Sequence, residues 1–177
     1  MVFILFACVT DASFAQRGSE MSSHETYFNL IEQFNPNERS DTNSVAIVLR
    51  HPSQAFRLLR TDNRFAMWSQ WLTDAFEDRR PMYLVVRRVD SVIDNIRLTS
   101  LHRIDSLQLT NDNQQLKVGM LPSPSFYHVS VNHPSYKEIR ATLQDALENM
   151  RQIYIVFGDV PLEIVDARVP DQAWAQP

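Results

Sequence analysis

The sequence contains a single cysteine, Cys8, and that residue lies in an apolar run at the N-terminus. If the run is an export signal that is removed, the remaining chain has no thiol for a disulfide, a thiolate metal site or a nucleophile. Glycine is almost as scarce, with three residues, Gly18, Gly119 and Gly158. Phosphate-binding loops and dinucleotide-binding turns need closely spaced glycines, so the sequence excludes both classes of site.

Other catalytic signatures are also missing. No serine lies in a nucleophile elbow, and no helical segment carries the paired histidines of a zinc protease. We therefore predict no cofactor and no metal site. These absences favour a small non-enzymatic binding or interaction domain, alone or as a subunit of a larger assembly. An enzyme stays open as the alternative, because catalytic carboxylates leave little local signature.

The apolar run over residues 2–9 is followed by small residues at the two positions that a signal peptidase reads. We predict a signal peptide over 1–15 and hence a periplasmic or secreted protein. The run is short and no basic residue precedes it. Two alternatives therefore stay open, a lipoprotein signal at Cys8 and a cytoplasmic protein whose translation begins at Met21. No later stretch is long enough to span a membrane.

The sequence does contain an internal repeat. At an offset of 71, seven of the sixteen residues in 71–86 are identical to those in 142–157. The identities include polar residues that an amphipathic pattern does not require, which favours a duplicated unit over chance. At an offset of 72, residues 92–94 match 164–166, and the tripeptide His-Pro-Ser occurs twice, 82 residues apart.

Each copy reads as strand, helix, strand, strand. In the second copy, Tyr136, Ile139 and Leu143 recur at helical spacing, and Ser135 with Glu138 forms a capping-box pattern. We predict an α+β fold of two βαββ-like repeats joined by a β-hairpin. The sheet is mainly antiparallel, and two principal helices lie on one face and share a core.

The predicted boundaries follow from the repeat and from breaks at proline, glycine and asparagine. Within the N-terminal segment, the spacing of Tyr27, Leu30 and Phe34 predicts a short helix. The segments are a signal peptide at 1–15, an N-terminal segment and linker at 16–43, a first repeat at 44–98, a connecting hairpin at 99–125, a second repeat at 126–169 and a tail at 170–177.

The C-terminal half has an alternative interpretation. A helix over 135–151 is preceded by strands near 82–88, 92–98 and 103–109 and followed by two more strands. This order approaches that of the OB-fold, a five-stranded barrel, when its helix lies between the third and fourth strands. An OB-like barrel is thus the second prediction for this half, with a nucleic-acid ligand as its functional counterpart.

Two matched pairs of side chains are candidates for chemistry. His51 and His133 begin the two His-Pro-Ser tripeptides and could act as acid–base groups near neutral pH. Asp94 and Asp166 match at the offset of 72, and paired carboxylates divide acid and base roles. The structural alternatives are a helix start for each histidine and a local hydrogen bond for each aspartate. A cleft between the repeats would bring these side chains together.

Charge is distributed unevenly. The chain has a formal net charge of −4, which argues against a nucleic-acid partner, whereas residues 50–103 carry ten Arg against six Asp and Glu. Arginine binds carboxylates and phosphates through two parallel hydrogen bonds. We expect a protein or an anionic polymer to contact this first repeat. The candidate residues are Arg79, Arg80, Arg87, Arg88 and the adjacent Trp71.

Overall fold

The computed structural model describes residues 23–37, 43–50 and 53–170. The predicted signal peptide at 1–15 and the tail beyond residue 170 lie outside the described residues. The described chain forms eleven strands and two helices, with helices α1 and α2 in equivalent places. The predicted α+β class, with a mainly antiparallel sheet and two principal helices, is confirmed.

The first half contains six strands and helix α1. Strands β1 and β2 flank Leu30, which is buried. They belong to two three-stranded sheets, ordered β1-β5-β6 and β2-β3-β4. The elements are β1 (His24–Asn29), β2 (Ile31–Phe34), β3 (Ser44–Leu49), β4 (Ala55–Leu59), α1 (Phe65–Glu77), β5 (Met82–Arg87) and β6 (Ile93–Arg97).

The second half contains five strands and helix α2. Its single sheet is ordered β11-β10-β7-β8-β9, and every pair in it is antiparallel. The long strand β7 pairs with β10 through its first part and with β8 through its second part. The elements are β7 (Thr99–Leu109), β8 (Gln115–Leu121), β9 (Phe126–Ser130), α2 (Tyr136–Glu148), β10 (Gln152–Phe157) and β11 (Ile164–Arg168).

The two halves are copies of one unit. Strands β1 and β2 correspond to the two parts of β7, because they pair with β5 and β3 as β7 pairs with β10 and β8. An isolated parallel bridge joins Arg57 to Val92, and its counterpart, 71 residues on, joins His128 to Glu163. The backbone therefore confirms the duplication that the residue identities indicate.

Left-handed backbone residues repeat at the same offset. Arg79 has a φ of 51° and Met150 a φ of 52°, each just after its helix. Ser91 and Leu162 form a second such pair, in the turn before the last strand of each half. Residues other than glycine rarely adopt this conformation, so its recurrence at equivalent positions shows the same chain path.

Each half has its own hydrophobic core. Trp68 and Leu72 of α1 pack with residues of β3, β4 and β5, whereas Ile139 and Leu143 of α2 pack with residues of β8 and β10. A fully buried leucine side chain contributes roughly 1.5–3 kcal/mol through removal of apolar surface from water. The prediction of one core shared by both repeats is therefore wrong, because each helix covers the sheet of its own half.

Two further predictions need correction. Residues 24–34, predicted as a helix, form β1 and β2, because backbone pairing with β5 and β3 outweighs the helical spacing of their apolar side chains. The hairpin predicted within 99–125 exists as β7 and β8, but it forms the middle of the second sheet and is not a connector. Each repeat thus has strands before the helix that the βαββ pattern omits.

The helix of the second half follows the third strand of its sheet and precedes the fourth. Its edge strands β9 and β11 meet at the bridge between His128 and Glu163. This is the strand order of a partly open OB-like barrel, and the first half repeats it. The predicted barrel drew on the wrong strands, because those near 82–88 and 92–98 belong to the first half as β5 and β6. In the described residues neither half closes into a barrel, because a single bridge pair joins the edges. None of the helices in this part of the chain combines the length and the apolar character needed to cross a membrane.

Candidate functional site

The predicted arginine surface is divided by strand β5. Arg79 and Arg80 precede this strand, whereas Arg87 ends it and Arg88 follows. A strand of this length separates the two pairs by about 20 Å. The ion pairs of these arginines are local: Arg80 contacts Asp78, Arg87 contacts Asp90 and Arg88 contacts Glu25, at 3.0–3.1 Å. The four arginines therefore do not form one continuous patch.

The aromatic residues of α1 belong to the core side of the helix. Trp68 is buried, and the guanidinium of Arg64 lies 4.0 Å from its ring centroid. Trp71, a predicted partner-binding residue, is partly buried and packs against the first core. Most of its ring surface is thus used within the fold.

Asp94 and Asp166 are not equivalent. Strand pairing aligns Ile93 with Ile164 at an offset of 71. Ile93 pairs with Val86 and Ile164 pairs with Phe157, and in both strand pairs this contact lies next to the β-bulge. The counterpart of Asp166 is therefore Asn95, and that of Asp94 is Val165. Asn95 and Asp166 each accept a hydrogen bond from the next backbone amide, at 2.9 and 2.8 Å. The predicted pairing of Asp94 with Asp166 is wrong by one residue.

The surroundings of Asp94 also differ from those of Asp166. It is exposed and lies 3.4 Å from Nε2 of His24 in the first half. Asp166 is buried, with 8% of its surface exposed. The two carboxylates therefore do not form an acid–base pair.

His133 has a different counterpart from the one predicted. Its backbone amide donates to Ser130, and its carbonyl accepts from Tyr136 at the start of α2. In the first half Asp62 makes the same two bonds, to Leu59 and Phe65. His51 falls between β3 and β4 and lies outside the described residues. The equivalence of His51 with His133 is therefore wrong, since strand β4 intervenes between His51 and α1.

The start of α2 also differs from the predicted capping box. Ser135 occupies the N-cap position, but its side chain makes no capping hydrogen bond. Its backbone amide instead donates to Nδ1 of His133, at 3.2 Å. This contact leaves the proton of a neutral imidazole on Nε2. The His133 ring is thus oriented by the backbone amide of Ser135, and the Ser135 hydroxyl takes no part in capping the helix.

His133 and Asp166 do share a cleft of about 250 Å³ between the two halves. The first half contributes the outward face of its sheet, including Tyr83 and Arg97. The second half contributes the start of α2 and strand β11, including Ser135. Of the predicted site residues, these two are the ones that line this cleft.

One wall of the cleft is formed by four side chains of the first half that have counterparts in the second half, of which Arg168 also lines the cleft. Strand pairing places a threonine opposite a valine and a tyrosine opposite an arginine, on the sheet face away from each core. The sets are Thr26, Val85, Tyr83 and Arg97 in the first half, and Thr99, Val156, Tyr154 and Arg168 in the second. The correspondence of the two sets could have been found in the sequence, because Arg97 and Arg168 lie 71 residues apart. It was missed because residues 92–94 were aligned with 164–166 at an offset of 72.

An ion pair between the buried Asp166 carboxylate and the half-exposed Arg168 guanidinium lies in the wall of the cleft. Oδ2 of Asp166 accepts hydrogen bonds from Nε and Nη2 of Arg168, at 2.9 and 2.8 Å. Burial raises the pKa of the Tyr83 hydroxyl, and the nearby Asp166 carboxylate raises it further. Tyr83 is therefore neutral at physiological pH and serves as a hydrogen-bonding group.

Arg97 joins the halves at this cleft. Its Nη2 donates to Oδ2 of Asp159 at 2.8 Å, and its Nη1 donates to the carbonyl of Phe157 at 3.4 Å. Both acceptors belong to the second half. Elsewhere along the junction, Phe28 packs edge-on against Tyr154, and Thr99 donates to the carbonyl of Pro81. The cleft walls are thus held by contacts between the halves.

One substitution between the copies explains why the start of α2 is open. In the first half, Arg64 forms an ion pair with Asp62 and donates to the carbonyl of Asp94, which joins the start of α1 to β6. The counterpart of Arg64 is Ser135, whose side chain is too short to reach β11 in the same way. The space that Arg64 fills in one copy is left as cleft in the other.

A larger groove of about 590 Å³ runs beside α1 and is lined by Phe34, Phe65 and Phe76. Its charged residues, Arg60 and Glu77, lie near opposite ends of the helix and do not converge. Binding sites combine an apolar surface with convergent polar groups, which the cleft has and this groove lacks. Within the described ranges, no group of three or more His, Cys, Asp or Glu side chains could hold a metal ion.

The chain was compared with protein-family models, with curated proteins and with solved structures, and none of the three comparisons found a match.

Proposed function

We propose that this protein is a non-enzymatic binding protein whose ligand occupies the cleft between its two halves. The observation that carries the proposal is the convergence of Arg97, Arg168, Tyr83 and His133 on one concave space. Ligand sites are found preferentially where two structural units meet, because each unit contributes a wall that the other lacks.

Hydrogen bonding in the cleft favours binding over catalysis. Both oxygens of Asp166 already accept bonds from within its own strand. Nδ1 of His133 accepts from a backbone amide. A general base needs a lone pair directed at the proton that it removes. Neither side chain has the arrangement of a base that activates a nucleophile, so we assign them to ligand contact.

The proposal includes export and a larger assembly. The apolar run at 2–9 supports export, and the arginines on both sides of β5 support contact with an acidic partner protein or polymer. Because these arginines are divided between the two ends of β5, we propose two separate contacts. The ligand cleft is distinct from both, since none of the four arginines lines it.

Native mass spectrometry of the protein purified from its own source tests the proposal directly. We expect a bound small molecule and a chain that begins at Gln16. A ligand that binds the folded state raises the free energy of unfolding by about 2.7 kcal/mol at a hundredfold excess over its Kd. The bound species should therefore also raise the unfolding midpoint of the ligand-free protein.

The variant Ser135→Arg provides the structural test. It introduces the residue that the first half has at the equivalent position, so it should close the cleft and abolish ligand stabilisation. Lys137→Arg is the matched control, because Lys137 is exposed on α2 and does not line the cleft. If Ser135→Arg folds normally and retains the ligand, the cleft is not the binding site.

A further inference from the structure

We infer that the ligand of this cleft is a small carboxylate or phosphate, and that it binds Arg97 by displacing Asp159. This inference rests on the proposed function and adds the chemical class of the ligand and a competing group within the chain. It follows from the different partners that the duplicated arginines have.

Arg168 is committed to its own half. Its guanidinium contacts Asp166 through two nitrogens, and the backbone amide of Ala167 holds the same carboxylate. Asp166 is fixed within strand β11 and is buried. A ligand that took Nε and Nη2 of Arg168 would leave the buried Asp166 carboxylate without its cation, and such a charge is costly. The contact that remains open to a ligand on Arg168 is the one through Nη1.

Arg97 has an exchangeable partner. Its side chain is 19% exposed, whereas that of Asp159 is 76% exposed and belongs to the turn between β10 and β11. The contact uses one nitrogen of the guanidinium, and a second nitrogen reaches the Phe157 carbonyl only at 3.4 Å. In this pair the exposed member is the carboxylate, which water can solvate when it leaves, so other anions compete for Arg97; in the pair of Arg168 the carboxylate is the buried member.

A free carboxylate or phosphate can bind more strongly than Asp159 does. The planar guanidinium offers two parallel N–H groups that match two oxygens of either anion. The Ser135 hydroxyl makes no capping bond and can donate to the same ligand, as can Nε2–H of His133, since Nδ1 accepts from a backbone amide. The cleft has a volume of about 250 Å³, which is enough for a small carboxylate or phosphate.

Displacement has a structural consequence. The Asp159 carboxylate and the Phe157 carbonyl are the acceptors through which the second half contacts Arg97. When an anion takes the place of Asp159, the turn at 158–163 loses its ion pair with the first half. Ligand binding is thereby coupled to greater freedom of this turn.

Isothermal titration with inorganic phosphate and with malonate, at low ionic strength, tests the inference on the full chain. Asp159→Asn removes the competing charge and should tighten binding of the anion by about two- to fivefold. Arg97→Lys removes the planar pair of donors and should weaken binding at least about tenfold. Asp90→Asn is the matched control, because Asp90 lies in the corresponding turn of the first half and pairs with Arg87.

The outcomes separate this inference from the proposed function. If the wild-type protein binds an anion and Asp159→Asn binds it equally or more weakly, Asp159 positions Arg97 and the competition is refuted. If neither anion binds while Ser135→Arg still abolishes stabilisation by the native ligand, the anion class is wrong and the cleft stands. If Ser135→Arg has no effect on either ligand, both proposals fail.

Hydrogen exchange gives a second readout that does not depend on affinity. Saturation with the tighter anion should speed the exchange of backbone amides in 158–163 by about two- to fivefold and leave the corresponding turn at 88–92 unchanged. Slower exchange in 158–163 would show that the ligand reinforces the contact of this turn with the first half, which is the opposite of displacement.

Discussion

The two halves of this protein share a framework and differ at the edges that surround the cleft. Helix position, strand order, β-bulges and left-handed residues recur at a constant offset from β3 to β6. The residues at the helix starts do not: Asp62 and Arg64 stand where the second half has His133 and Ser135. The positions that match between the halves therefore maintain the fold, while the positions that differ between them shape the candidate site.

A similar contrast separates the last turns of the two halves. In the first half, Arg87 and Asp90 form an ion pair within their own turn. In the second half, Asp159 reaches Arg97 of the other half. The first turn thus stabilises itself, whereas the second holds the two halves together. Substitutions at equivalent positions should therefore change the free energy of unfolding equally within the two cores and unequally around the cleft.

The largest expected effect concerns the two cores. Leu72 and Leu143 are equivalent, and both are fully buried. Leu72→Ala and Leu143→Ala should each lower the free energy of unfolding by about 2–5 kcal/mol, through lost burial and the cavity that remains. Urea unfolding followed by circular dichroism measures both losses.

Tryptophan fluorescence sharpens this comparison. Trp68 and Trp71 report on the first core, and the second core contains no tryptophan among the described residues. If Leu143→Ala lowers the circular-dichroism midpoint but not the fluorescence midpoint, the halves unfold separately. Losses that differ by more than about 2 kcal/mol would contradict equivalent packing of the two cores.

The next largest effect distinguishes the equivalent arginines. Arg168→Ala removes a half-exposed cation and leaves Oδ2 of the buried Asp166 unsatisfied, which should cost about 1–3 kcal/mol. Arg97→Ala removes a pair whose carboxylate is exposed and should cost about 0–1 kcal/mol. Thermal unfolding of the two variants gives the difference. Equal losses would refute the assignment of Arg97 as the exchangeable partner.

Asp166→Asn serves as the control for this pair. Asparagine is the residue that the first half has at this position, and Asn95 accepts the same backbone hydrogen bond. The variant should therefore keep the bond from Ala167 and lose less stability than Arg168→Ala. A larger loss would mean that the charge of Asp166 has a role beyond its contact with Arg168.

The sequence predicted the elements whose pattern is local. The helical spacing of Tyr136, Ile139 and Leu143 matches α2 as found, and the Val- and Ile-rich run at 44–49 is typical of a strand and forms β3. The continuous apolar runs in 82–86 and 153–157 are typical of central strands, and β5 and β10 each lie between two neighbours. The repeat itself was visible because framework residues such as Tyr83 and Tyr154 are identical.

The features of the fold and of the site that the sequence did not predict depend on contacts between residues distant in the chain. Residues 24–34 have helical spacing, yet their pairing with strands far along the chain determines their conformation. The β-bulge that follows Ile93 and Ile164 fixes the register, and the sequence alone allowed Asp94 to be matched with Asp166. The cleft was predicted as a place, but Tyr83, Arg97 and Arg168 were not among its predicted residues, because no local motif marks them.

A smaller effect tests the left-handed residues after each helix. Arg79 and Met150 both have a positive φ, which costs a residue other than glycine roughly 1–2 kcal/mol. Arg79→Gly and Met150→Gly should each raise the free energy of unfolding by about 0.5–1 kcal/mol, because glycine loses part of this gain through its greater freedom when unfolded. Asn149→Gly is the control and should destabilise, since Asn149 has a φ of −97°. Destabilisation by either of the first two variants would contradict the shared backbone path.

The smallest effect concerns pH and separates the halves at His102, whose counterpart in the first half is Asn29. Nδ1 of His102 is buried without a hydrogen-bond partner among the described residues, and burial lowers the pKa of this imidazole. The unfolded chain therefore binds a proton more readily than the folded chain does. Stability should fall as the pH drops from about 6.5, the usual pKa of histidine, to the lowered pKa of the folded state, and this histidine should have no effect above that range.

His102→Asn introduces the residue of the first half, which cannot titrate, so urea midpoints measured between pH 8 and pH 5 should fall less steeply than in the wild-type protein. An unchanged slope would mean that the folded protein accepts the proton on His102 as readily as the unfolded chain, and the two halves would then respond alike to acid at this position.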